Sequence, residues 1–484
     1  MRRQIRWKSV FAVLVCTALV IGMTACKEDA SPNSSSPSSV SSASPEVQDN
    51  ERVAIDLEKE YTRSDSGQRF LSGSFVQMWY CSGWGEGRWR AEMQSMVDNG
   101  MEYLVVPCAA SRDDSTGKIY TYFETNVQNA TCSSPALDML FRICDEFGIK
   151  VFMAPFADNE WYSNEFGWKE HDSADDAYGR WMKQHTDTSN ELAKEIYDLY
   201  KAKYPETFFG WYFSDELWNM KIICQGTGRQ REAALDILAL GLNNVLDFYS
   251  QLDPDMPFIF SPFSNRSYST AQQYMNMWID LFARVRFREG DIFCPQDSIG
   301  GNPQEIQVLD LWTRAYRQAV DTKPGLRFWM NNENFAGEFH ATIDRLKQQI
   351  DITAPYCEAN ITFSWQHHYS PYHEKVPEGY ALTYQDFYVN GVLDRQAPTA
   401  PEITVEKDED SGWIIRYKNA ADNIGIAGFY IYRNKEDNLL TTVRVGKNSV
   451  PDRYITSIPG TYYVQAFDYA GNRSPMAQAV IEMG

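Results

Sequence analysis

The sequence contains no CxxC pair, no HExxH and no glycine-rich dinucleotide fingerprint after its first strand-like run. The scattered cysteines argue against a zinc or iron–sulfur cluster. The second absence, with no compact His/Asp cluster, argues against a catalytic metal, and no cofactor is expected. Positive charge is also scarce: 45 Lys and Arg face 65 Asp and Glu, a formal charge of −20. General binding to a phosphate backbone is disfavoured, so nucleic acid is not an expected partner. Long apolar runs are missing too. The longest, "VFAVLVCTALVIGM", is too short for a comfortable membrane span.

That run belongs to a targeting segment. Arg2, Arg3, Arg6 and Lys8 precede it and "MTAC" closes it. Small residues before a cysteine resemble a bacterial lipoprotein signal, with Cys26 as the lipidated residue; an ordinary secretory signal cleaved nearby is the alternative. Removing residues 1–25 and their four positive charges takes the formal charge from −20 to −24. Residues 27–52, with "SPNSSSPSSVSSASP", read as a flexible tether that cannot form a core. A lipid anchor would place the protein on the extracellular face of a bacterial membrane. Beyond Cys26 lie Cys81, Cys108, Cys132, Cys144, Cys224, Cys294 and Cys357, an odd number, and several sit in apolar runs as small core residues.

Residues 53–392 alternate strand-like and helical segments. The strand candidates begin "GSFVQMWY", "EYLVVPCAA", "KVFMAPFADNE" and "FFGWYFSDE", and continue with "PFIFSPFSN", "DIFCPQDSIG", "LRFWMNNENF" and "ANITFSWQHH". Most are continuously apolar, as parallel strands covered on both faces must be. Ser134 and Pro135 read as an N-cap and first helical residue, with Leu137, Phe141 and Cys144 forming a stripe. Leu192, Ile196 and Leu199 mark a second helix. Phe339, Ile343, Leu346 and Ile350 mark a third. Eight strands with a helix in nearly every gap predict an α/β fold, a (β/α)8 TIM barrel, with a doubly wound sheet as runner-up. After "DRQAPTAP" the pattern changes to short strands and turns, which predicts a small β-sandwich over residues 396–484.

In a barrel the strand ends share one mouth. Glu216 closes the fourth strand in "FFGWYFSDELW" and Glu333 the seventh. Two carboxylates facing each other across a cleft can cleave a glycosidic bond, one holding a proton and the other ionised. As a strand-end group, Glu333 should contribute little to the core. Asp215 should point away from its neighbour Glu216. Asp158, Glu160, Asp297 and His367, beside His368, are further mouth candidates, while Gln296, Asn331 and Asn332 suit hydroxyl recognition. Trp79, Trp161, Trp329 and Trp365, with Trp84 and Trp218, offer ring faces on which sugars stack. Residues 161–185 form an insertion suited to a cleft wall.

The barrel resembles the DUF4434 family of secreted bacterial proteins, carried by "GSFVQMWY", "WYFSDE" and "FCPQDSIG". The resemblance implies a glycoside-hydrolase-like barrel. Retaining enzymes of that broad superfamily carry an acid/base Glu after strand four and a nucleophilic Glu after strand seven, which map to Glu216 and Glu333. Asp215 stands where that pattern has Asn. The tail, with "NAADNIGIAGFYIYRN" and "YYVQAFDYAGNRSP", resembles a fibronectin type III domain. The expected function is a surface-tethered retaining glycoside hydrolase acting on an oligosaccharide or polysaccharide. A non-catalytic carbohydrate-binding lipoprotein is the alternative, and a hydrolase using Asp297 or the His367–His368 pair a third.

Overall fold

A computed structural model of the chain describes residues 53–62, 69–408 and 412–482. The targeting segment, Cys26 and the tether therefore lie outside the described residues. The chain divides into Met1–Ala54 and Ile55–Gly484, and barrel and sandwich belong to the same second unit.

Eight parallel strands close a barrel: β1 (Gly73–Phe75), β2 (Tyr103–Val106), β3 (Lys150–Met153), β4 (Phe208–Phe213), β5 (Phe258–Phe260), β6 (Ile292–Phe293), β7 (Arg327–Asn331) and β8 (Ala359–Thr362). Each pairs with its sequence neighbours, and β1 pairs with β8 to complete the ring. Between and after the strands run α1 (Glu86–Asp98), α2 (Ala136–Glu146), α3 (Ala177–Tyr200), α4 (Gly228–Leu252), α5 (Ala271–Arg284), α6 (Leu309–Val320), α7 (Ile343–Thr353) and α8 (Gly379–Asn390). This is a TIM barrel.

Strand alternation sorts side chains between two cores. Phe75, Val105, Phe152, Tyr212, Ile259, Ile292, Trp329 and Ile361 fill the barrel interior. Their neighbours, such as Leu104, Val151, Trp211 and Phe328, face the helices and join a second, larger cluster. Continuous apolar strands are thus the signature of a sheet buried on both faces. All seven cysteines among the described residues are free, and six are buried.

Three local expectations change. Leu199 is exposed, and Leu192, Ala193, Ile196 and Tyr200 carry the buried stripe of α3, because the packed face follows the contacts of the neighbouring elements rather than the 192, 196, 199 spacing. Phe339 lies in a two-stranded hairpin with Phe335–Ala336 and is exposed, so α7 starts only at Ile343. Helix α2 has Pro135, not Ser134, at its N-cap, without a side-chain capping bond.

The C-terminal region is a β-sandwich of two antiparallel sheets. One contains β9 (Glu402–Asp408), β10 (Gly412–Lys418) and β13 (Arg453–Thr456). The other contains β11 (Ile426–Arg433), β12 (Leu439–Arg444), β14 (Gly460–Asp468) and β15 (Ala477–Ile481). It is fastened to the barrel. The amides of Ile343 and Asp344, at the start of α7, donate to the carbonyls of Tyr469 and Ala470, both at 3.0 Å. The Tyr469 ring meets Tyr380 of α8 edge-on, and Arg444 donates to the His340 carbonyl at 3.0 Å.

Candidate active site

The loops following the C-terminal strand ends form the barrel mouth. After β4 the chain runs Ser214, Asp215, Glu216, and alternation separates the two acids. Asp215 is buried and turned toward α3, its Oδ2 3.0 Å from Nε2 of His185, whose ring stacks on Trp181 at 4.9 Å. Burial lowers the proton affinity of His185, but the charge and hydrogen bond of Asp215, with the Asp158 charge, together outweigh it and the net shift is upward. Asp215 is therefore engaged with His185 on α3 rather than with the mouth.

Glu216 is half-buried at the mouth. Its Oε1 accepts from Nε2 of Gln296 at 2.8 Å, and its Oε2 lies 3.4 Å from the Tyr162 hydroxyl. Burial raises its pKa above the usual carboxylate range, against the pull of those two donors. The Glu216 carbonyl accepts from Nε1 of Trp161 at 3.1 Å. Trp161 is only 5% exposed and stacks toward Trp181, so it clamps the β4 loop and offers no open face. Asp158 is also buried. It pairs with Nε of Arg112 at 2.7 Å and caps the amide of Glu160 at 3.1 Å, which anchors the loop carrying Tyr162. Glu160 itself is exposed.

On the other side, Gln296 and Asn331 bridge the ends of β6 and β7, and Asn331 donates to the Ser261 hydroxyl at 3.2 Å. Asn332 turns the opposite way, toward Asn360 at 2.8 Å, and belongs to the polar packing between β7, β8 and α7 rather than to the mouth. Glu333 is 5% exposed. Its Oε2 accepts from the Gly300 amide at 2.5 Å, its amide donates to Asp297 at 3.3 Å, and its carbonyl accepts from Arg345 at 2.9 Å and Gln349 at 3.1 Å. Gln349 also binds the Asp297 carboxylate. A Cβ on Gly300 would come within 2.3 Å of the Phe335 ring, so any larger residue here would displace that ring. Burial, then the neighbouring charge of Asp297, pushes the proton affinity of Glu333 up, and burial does the same for Asp297. The two share a buried acidic cluster that Arg345 partly neutralises.

The expectation that Glu333 contributes little to the packed interior is thus corrected: it is a buried acceptor. Glu216 and Glu333 have no common hydrogen-bond partner among the described residues; the first is gripped by the β3 and β6 loops, the second by the β6 loop and α7.

The aromatic residues divide sharply. Trp79 stacks on His367 at 5.8 Å and both are half-buried, with Tyr80 4.5 Å from the same imidazole. They line the rim formed by the loops after β1 and β8. Trp329 and Trp365 do not belong to the mouth. Trp329, 1% exposed, lies inside the barrel against Tyr103 and Phe152, with Arg327 over its ring. Trp365, fully buried, donates to Ser95 at 3.2 Å and packs on Tyr369 and Tyr384. Neither has a face left for a sugar. Arg345 and Gln349 were not foreseen, although with Thr353 they form a polar i, i+4, i+8 row along α7, a recognisable signal in an otherwise buried helix face.

Four histidines gather on the β7–β8 side. His340 and His368 approach through their Nδ1 atoms at 3.2 Å. Burial lowers His340 and His367 to about 3 and His373 to about 4, and takes His368 well down. The unfolded chain binds protons at these groups from pH 6.5 downward while the folded chain does not, so stability falls with falling pH through that window. His185, raised, works in the opposite direction. We expect the urea midpoint to drop between pH 6.5 and 4; a flat profile would mean these rings are hydrated.

Among the described residues, no helix is long and apolar enough to cross a membrane, and no group of three or more His, Cys, Asp or Glu is placed to hold a metal ion. Curated proteins include no match to this chain. Among solved structures, a Bacteroides thetaiotaomicron VPI-5482 protein provisionally described as an alpha-L-fucosidase is similar, at 16% identity and a TM-score of 0.52, over 70% of this chain and 99% of that one. The endo-beta-1,4-mannanase from Thermotoga petrophila follows at 12% identity and a TM-score of 0.41, over 88% and 99%. A glycoside hydrolase family 5 protein from Bacteroides vulgatus ATCC 8482 shows 10% identity and a TM-score of 0.40, over 87% and 93%. The first likeness bears on the fold alone. A family model described as "Domain of unknown function (DUF4434)" matches residues 71–375, well over half of the chain, and the protein belongs to that family.

Proposed function

We propose that the protein is a retaining glycoside hydrolase of a neutral or weakly charged glycan, with Glu216 as acid/base and Glu333 as nucleophile. The observation that carries this reading is Glu216: a carboxyl at the end of β4, half-open to the mouth, held by Gln296 and Tyr162, with burial raising its proton affinity. Such a group can protonate a leaving glycosidic oxygen and later take a proton from water. Glu333 would attack the sugar carbon in its ionised form. Its buried place beside Asp297 favours the protonated form at rest, so attack requires the carboxylate form, reached by release of that proton to solvent before the sugar is seated. The positive charge developing on the sugar would stabilise the carboxylate.

Trp79 and His367 suit the stacking of a sugar ring, and Gln296 its hydroxyls, with Asn331 buried behind it. The C-terminal sandwich, read as a fibronectin type III-like module, would brace the β7–α7 region rather than swing freely, in keeping with its bonds to Ile343, Asp344 and His340. A second reading, a carbohydrate-binding protein without turnover, is favoured by one feature, the burial of Glu333 among Asp297, Arg345 and Gln349.

The deciding experiment is incubation of the protein with a broad panel of glycans, followed by NMR of the first-formed product. Cleavage with retention of the anomeric configuration is the expected result. Inversion would remove Glu333 as nucleophile, and binding without cleavage would favour the second reading.

The protein is further proposed to be anchored outside the cell by a lipid on Cys26. Cys26→Ser should abolish incorporation of labelled fatty acid and release the protein from the membrane fraction. Persistence of label would place the lipid elsewhere.

A further inference from the structure

Of the tryptophans in the described residues, Trp168 is the most exposed, at 46%. It closes a short helical turn, Phe166–Trp168, in the loop after β3. Its ring meets Trp218 at 5.2 Å and Tyr268 at 4.9 Å, and those two meet each other at 5.6 Å. Trp218 follows β4 and Tyr268 follows β5. Three adjacent strands thus send one ring each to the same stretch of rim. The contact is built closely: a Cβ on Gly167 would lie 2.3 Å from the Trp218 ring.

The cluster continues directly from Glu216. Trp218 is two residues beyond it, and Tyr162, 44% exposed and 3.4 Å from the Glu216 carboxylate, begins the same loop that ends in Trp168. An aromatic surface left in water next to a polar mouth has an unmatched apolar face, and a flat apolar sugar face covers it without charge. Charge on the loop narrows the choice. The same loop carries exposed Glu160, Glu165, Glu170 and Asp172 against Lys169, which is itself paired with Glu165 at 2.9 Å. An acidic glycan would be repelled.

We propose that Trp168, Trp218 and Tyr268 form a stacking subsite for a chain of uncharged sugar rings leading away from Glu216. This rests on the reading of Glu216 as the acid at the mouth, and it makes the protein selective for oligosaccharides over single sugars. The subsite lies opposite the Trp79–His367 rim, so a chain bound across the mouth touches both.

The test measures binding of cello-, manno- and xylooligosaccharides, from disaccharide to hexasaccharide, by tryptophan fluorescence with the full chain and with Trp168→Ala and Trp168→Phe. Affinity in one series should rise with chain length. Trp168→Ala should lose that gain, roughly tenfold at the longest ligand, while Trp168→Phe keeps most of it. The melting temperature should fall only slightly in Trp168→Ala, because nearly half of the ring is exposed and only its contacts with Trp218 and Tyr268 are lost. No length gain in any series, or the same gain in Trp168→Ala, overturns the proposal. Hydrolysis is read separately. Turnover without a length gain overturns the subsite and keeps the enzyme; a length gain without turnover keeps the subsite and overturns the enzyme.

Discussion

Glu216→Gln is expected to lower hydrolysis on the order of 10²–10⁴-fold and to leave the unfolding midpoint near that of the wild type. Glutamine keeps one oxygen for the Gln296 donor and can turn its amide NH2 to the Tyr162 hydroxyl, which then accepts, but it has no acidic proton to give a leaving oxygen. Glu333→Gln should be at least as damaging, since an amide cannot form the covalent intermediate. Its stability separates the possibilities further. Burial and Asp297 raise the pKa of Glu333, so the folded chain holds a proton there that the unfolded chain releases at lower pH. Native stability therefore declines as pH rises from the ordinary carboxylate range through the folded pKa. Glutamine mimics the protonated acid, so Glu333→Gln should unfold no earlier than wild type, with its relative advantage growing as pH rises. Glu333→Ala leaves the Gly300 amide without its acceptor and should cost about 1–3 kcal/mol. Urea titrations of the three proteins at acid and alkaline pH read all of this. If Ala and Gln behave alike, Glu333 is a hydrated surface group and its assigned place in the site is wrong.

The barrel was legible because each strand is covered on both sides and therefore continuously apolar. The division of Asp215 from Glu216 was legible for the same reason that strands alternate: one residue faces His185, the other the mouth. Depth was not. Trp329 has the inward phase expected of a mouth residue, but lies two positions before Asn331, one layer down the barrel against Tyr103. Period gives the side of a strand, and the position of the strand end gives the depth. Glu333 differs in kind. Its burial is imposed by Arg345 and Gln349 from α7 and by the Gly300 amide, contacts between segments that the local pattern does not relate. Phe339 shows the converse failure. It matches the helical spacing of Ile343, but its chain pairs back on Phe335–Ala336 as a hairpin.

Trp365→Ala is expected to destabilise the protein by about 3–5 kcal/mol, the cost of emptying a large buried aromatic site. The indole is fully buried, its Nε1 donates to Ser95 on α1 at 3.2 Å, and Tyr369 and Tyr384 close around it. It therefore joins the end of β8 to the helices beside it. Removing it empties a cavity and leaves the Ser95 hydroxyl without a donor. Trp79→Ala makes the contrast. Trp79 sits half-buried on His367 at the rim, so its replacement should cost less stability and show instead as weakened sugar binding. Urea unfolding and glycan binding, measured on both variants, separate a core ring from a platform ring. The reverse outcome, a stable Trp365→Ala with lost binding, would return Trp365 to the mouth and require the β8–α8 loop to open. The two substitutions thus test a rule that applies to every tryptophan here: a ring near a strand end binds a sugar only if one of its faces is left uncovered by the fold.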